Sequence, residues 1–270
     1  MTRWKWTLGA LALTLVLRAE YAASQPVMGV QTAATAVEGT TLVLPEYTVP
    51  VDGLLVVRVG TQGALSDSVT FNGIEMMEAA SSEVLFFPWT VSSEVRYLDV
   101  EEGESGPIVV RYGHSGTDGK SVIAATIAGE YVFDSAAIET AEGPNLAPVD
   151  VSANPGDVVF TTITVHGNGI PEIVGPAHVL DGYPTVPESA FHEMKHLGGQ
   201  LDPLAFGDHT LSYRNTRSSG WMNYALIATS FTPVPEPGLG VALAAGVLSL
   251  LGGRNRYSER PSRGSRTTDR

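Results

Sequence analysis

The sequence predicts an all-β protein: an antiparallel two-sheet β-sandwich, jelly-roll or immunoglobulin-like, between two terminal segments that serve transport rather than folding. Three observations predict it. Short runs rich in valine, isoleucine, threonine and aromatic residues recur, with glycine, proline, asparagine and aspartate between them. Apolar spacing of the helical kind is nearly absent over the same stretch. The 270 residues include no cysteine, so disulfides and thiolate metal sites are excluded and the fold must rest on packing and strand pairing.

The chain opens with Arg3 and Lys5, then an apolar run of 11 residues from Thr7 to Leu17, closed by Arg18. That run is too short to span a bilayer as a stable helix. Small residues follow at Ala22, Ala23 and Ser24. A basic start, a short apolar core and small residues make residues 1–24 a secretory signal peptide, cut by signal peptidase after Ser24. A retained N-terminal anchor is the alternative.

Residues 25–232 form the sandwich domain; the length suits one large all-β domain or two small ones, of which one is the reading adopted, and is enough to bury a sizeable core. Its strands begin with Thr41–Leu44 and Leu54–Val59. Val69-Thr70-Phe71 then runs into Asn72-Gly73, a strong hairpin signal. Val84–Trp89 is apolar and aromatic, Val95–Leu98 and Ile108–Tyr112 alternate at period two, and Val122–Ile127 reads as a buried strand. Val158–Val165, Thr210–Tyr213 and Asn223–Phe231 complete the series.

Charge is unevenly placed. Between residues 25 and 234 there are 7 basic and 25 acidic side chains, a balance near −18 against −13 for the whole chain. Such a domain repels nucleic acid and anionic lipid and remains soluble. The candidates for calcium are Asp99, Glu101, Glu102 and Glu104, whose spacing matches no calcium loop. Plain solubility is the preferred reading of the acidity, and no cofactor is expected.

One string suggests chemistry. His192-Glu193-Met194-Lys195-His196 is an HExxH pattern that continues to Gly199 and Asp202. It resembles the zinc site of metzincin peptidases. That resemblance implies zinc on His192, His196 and Asp202, Glu193 as the residue activating water, and Met222 where a Met-turn would lie. The chemistry needs both histidines one turn apart on a helix. Thr185 and Glu188 have capping-box spacing, Pro187 suits a first turn and Gly198 a stop. On a strand the two would stand about 13 Å apart at ~3.3 Å per residue and could not share an ion. The chain also lacks the long helices that build a metzincin cleft, so the expectation is no enzyme, with a zinc peptidase as the alternative.

His114, His166, His178 and His209 are scattered and read as loop or strand-end residues. Trp89 and Trp221 read as core aromatics, with stacking on extracellular polysaccharide as the alternative.

The end of the chain, residues 233–270, has three parts. Pro233-Val234-Pro235-Glu236-Pro237 is held extended, because proline lacks an amide donor and restricts the residue before it. Gly238 to Gly253 is 16 residues without a charge. As a transmembrane helix, 238–253 would cover about 24 Å, slightly short of a bilayer core of ~30 Å. Six arginines, Arg254 and Arg256 first, occupy the tail 254–270 and would hold it in the cytoplasm.

This order of Pro235-Glu236-Pro237, apolar span and basic end resembles the PEP-CTERM family of bacterial sorting signals. The resemblance implies an exosortase that cuts near the tripeptide while the precursor sits in the inner membrane. It also implies a product at the cell surface or in the extracellular matrix. The block from Asp67 through Val95–Leu98 to Ile108–Val110 further resembles β-sandwich domains of bacterial secreted proteins. The expected role is structural, adhesive or binding, with a zinc peptidase and a glycan-binding module as alternatives.

Overall fold

A computed structural model describes residues 27–35, 39–86, 89–113, 119–143, 146, 148–154, 156–167, 171–174, 178–179, 194–201, 207–216 and 222–234. Among the described residues there are seventeen strands and no helix. The first half contains β1 (Val27–Thr35), β2 (Thr41–Thr48), β3 (Gly53–Gln62), β4 (Ser68–Phe71), β5 (Ile74–Glu75), β6 (Met77–Phe86), β7 (Trp89–Val100), β8 (Ser105–Arg111) and β9 (Gly119–Ala128). The second contains β10 (Tyr131–Gly143), β11 (Val149–Ala153), β12 (Val158–Gly167), β13 (Pro171–Val174), β14 (His178–Val179), β15 (Met194–Leu201), β16 (Gly207–Asn215) and β17 (Met222–Pro233).

The all-β expectation holds, and so do most of the strands. The Asn72-Gly73 hairpin forms as expected: Phe71 pairs with Ile74, and both turn residues have positive φ, 47° and 81°. Those angles suit a two-residue hairpin turn, whose twist matches that of its strands.

Instead of one sandwich there are two. The first half forms sheets of order β1-β9-β3-β7-β6 and β2-β8-β4-β5. The second forms β10-β17-β12-β15-β14 and β11-β16-β13. The second half therefore repeats the first strand for strand, lacking only a counterpart of the two-residue β5. Each half has its own core. Leu55, Val57 and Val122 meet Leu42, Phe71 and Ile108 in the first; Val159, Ile163 and Leu226 meet Val149, Val151 and Leu211 in the second. The two five-stranded sheets then face each other, with Leu54, Val56, Val95 and Ile127 against Val158, Phe160, Ile227 and Phe231. Four layers result, with two inner sheets covered on both faces.

The sequence pattern follows from this layering. Outer strands alternate: Leu42 and Leu44 point in while Thr41 and Val43 point out, and β11 buries Val149, Val151 and Ala153 but exposes Asp150 and Ser152. Inner strands β3, β9, β12 and β17 are buried over nearly their whole length, because no face of theirs meets water. Four such non-alternating runs exceed what the inner faces of one sandwich need. That is why a single two-sheet domain could not accommodate them.

Entry and exit coincide. Val27 pairs with Ile127 and Tyr131 pairs with Pro233, while Gly129 and Glu130 alone join β9 to β10. The body thus begins, changes sandwich and ends at one pole.

Phe231 packs edge-on against Tyr97, Phe133 and Phe160, with ring centroids 5.6, 6.0 and 6.1 Å away. Phe231→Ala is expected to cost about 3–5 kcal/mol. Urea unfolding followed by tryptophan fluorescence and by circular dichroism should still give one coincident transition; two separated transitions would show that the sandwiches unfold independently.

Candidate functional site

The face between the inner sheets has an apolar half and a polar half. Period-two alternation places Ser93 of β7 and Ser121 of β9 on it from the first sandwich. Thr162 and Thr164 of β12 and His196 of β15 come from the second. All five side chains are buried.

Both ring nitrogens of His196 are engaged. Nδ1 lies 2.6 Å from Ser121 Oγ across the two sandwiches, and Nε2 lies 2.6 Å from Thr162 Oγ1 within its own sheet. Ser93 Oγ donates to the Ala225 carbonyl at 2.7 Å. Its single hydrogen is then used, so the 2.7 Å contact with Thr164 must be a bond that Thr164 donates. Hydroxyls are suited to this place: each supplies one donor and acceptor capacity without the desolvation cost of a charge.

Close approach is possible because β3 carries Gly60 here. A Cβ at that position would stand 2.6 Å from Thr164 Oγ1 and 2.7 Å from His196 Cγ. Burial, helped by the charge of Arg58, pushes the His196 imidazole down from 6.5 to about 3. It is neutral at physiological pH and serves as a donor–acceptor bridge.

The HEMKH reading changes accordingly. His192, Glu193 and Asp202 lie outside the described residues. Met194–Leu201 is a strand, not the end of the expected helix. It pairs with β12 from His166↔Met194 to Val159↔Leu201, and Leu197 enters the second core. Sheet pairing and burial of alternate residues therefore override the local helix signals. Met222, expected near a metal, is a fully buried core residue at the start of β17. Trp89 opens β7, whereas Trp221 lies outside the described residues.

The acidic segment is a turn as well. Asp99 belongs to β7, Gly103 takes φ 85°, and the Glu102 amide donates to Asp52 Oδ1 at 2.7 Å. Among the described residues no group of three or more histidine, aspartate or glutamate side chains is placed to hold a metal ion. His166 is buried in β12, and His209 lies on β16. His114, Pro235, Glu236, Pro237, Arg254 and Arg256 lie outside the described residues.

Sequence reasoning singled out His196 but assigned it different chemistry, and it passed over Ser93, Ser121, Thr162 and Thr164. Their one visible signal was hydroxyls recurring inside runs too apolar to be surface strands. No protein-family model, curated protein or solved structure matches the chain.

Two outcomes check this geometry. His196→Ala leaves Ser121 and Thr162 without their shared partner and opens a cavity, so it should destabilise by about 2–4 kcal/mol in urea. The wild-type protein should lose stability as pH falls from 6.5 toward 3, because the unfolded chain binds the His196 proton first, at up to about 1.4 kcal/mol per pH unit. That component should vanish in His196→Gln, measured as the difference between the two acid-unfolding curves.

Proposed function

We propose that this is an exported bacterial surface or extracellular-matrix protein with a structural, adhesive or binding role, processed by signal peptidase and an exosortase. The observation that carries the reading is the order Pro235-Glu236-Pro237, uncharged 238–253 and arginine-rich 254–270. Its placement supports it. The last strand ends at Pro233, and the chain divides into compact units between Pro233 and Val234. Among the described residues the last strand thus ends two residues before the tripeptide.

The order β1-β9-β3-β7-β6 over β2-β8-β4-β5 supports a jelly roll with β6 added at one edge, because the first strand pairs with the last, whereas an immunoglobulin sheet pairs the first strand with the second. We take both halves as jelly rolls. The histidine that a peptidase would need on zinc has both ring nitrogens committed to hydroxyls. The acidic exterior suits a soluble module outside the cell.

Mass spectrometry of protein from its native cells tests the proposal. The expected product starts near Gln25 and ends near the tripeptide, and Glu236→Ala should leave the tail attached and the protein in the membrane fraction. Recovery of the intact 270-residue chain from the cytosol would overturn it.

A further inference from the structure

Arg58 lies on β3, on the face turned toward the second sandwich, and is completely buried. Its guanidinium packs 5.4 Å from the Phe160 ring centroid and fills the notch left by Gly198. A Cβ on that glycine would stand within 2.8 Å of the guanidinium carbon and within 3.2 Å of Ile123 Cδ1. Among the described residues, none of Nε, Nη1 and Nη2 has a hydrogen-bond partner. A phenyl face attracts a cation but accepts few of the hydrogen bonds a guanidinium offers.

The contrast with Arg96 is instructive. That side chain, almost as deeply placed, pairs with Glu94 and Glu78 at 2.9 Å each. No carboxylate among the described residues pairs with Arg58. Tyr213 is within its electrostatic reach but belongs to the second sandwich's own core. His196 is neutral and already bonded on both nitrogens. Burial lowers the guanidinium only to about 9, so it keeps its charge at neutral pH.

A buried charge without an opposite charge or an acceptor is among the most costly arrangements a fold can hold. Here three guanidinium nitrogens lack an acceptor and their charge lacks a counter-ion. We infer that Arg58 forms a buried site for a small monovalent inorganic anion of halide size, taken up between the two sandwiches as they close. A halide brings both the missing charge and the acceptor capacity. Full burial favours a singly charged ion, which costs less to dehydrate than a multiply charged one.

Urea unfolding of the secreted body in sodium chloride and in sodium gluconate, at constant ionic strength, tests the site. A specific site lowers the unfolding constant by up to tenfold for each tenfold rise in chloride above its dissociation constant. Arg58→Met, close in size and apolar, should abolish that response while keeping the response to ionic strength. Crystals of the wild-type protein grown in sodium bromide give a readout independent of whether the variant folds. Anomalous scattering from bromide within hydrogen-bond distance of the guanidinium is expected. A water in its place, or equal stability in chloride and gluconate, overturns the inference.

Discussion

The architecture depends on how closely the two inner sheets approach. They are joined by hydroxyl–imidazole and hydroxyl–hydroxyl bonds at one end and by stacked aromatic and aliphatic side chains at the other. Gly60 sets the spacing, since any side chain there collides with Thr164 and His196. If this face opened, eight or more apolar side chains and a set of buried polar groups would be exposed together. Each sandwich has a core of its own, but the inner strands are written for a dry partner on both sides. They would not be stable surfaces in water.

Polar groups in this position specify as well as stabilise. An apolar face between two flat sheets tolerates sliding by a residue pair, because every two-residue step restores the same pattern of side chains. The Ser121–His196–Thr162 bridge admits one register only, since a slipped arrangement leaves buried hydroxyls without partners. The duplicated strand order fits the same logic. A sheet that buries both faces has few ways to find a matching surface, and a second copy of its own fold provides one.

Much of the fold could be read from the sequence, and the part that could not has a physical cause. Turn chemistry located the Asn72-Gly73 hairpin because positive φ at two successive residues is a demand few residue pairs meet. Alternation located β8 in an outer sheet and part of β7 in an inner one. The second sandwich was missed because a continuous apolar run looks the same whether it is a central strand in one sandwich or an inner strand in four layers. At the candidate site, local signals in Thr185–Gly198 favoured a helix, but the strand over Met194–Leu201 is decided by β12 on one side and the second core on the other. Nothing nearby in the sequence announces either partner. Arg58 carried no signal: the sequence marks Leu54–Val59 as a strand but not which sheet faces its arginine.

The meeting of Val27 with Ile127 and of Tyr131 with Pro233 has a geometric consequence. A body tethered through its leading end, its trailing end or both hangs from the same point. Its orientation is therefore indifferent to which tether is severed. The Phe86–Trp89 pair at the end of β6 and β7 and the start of β9, across from Gln62, lie at the opposite pole. Which strand ends face away from a tether at either terminus is thus fixed by strand pairing alone.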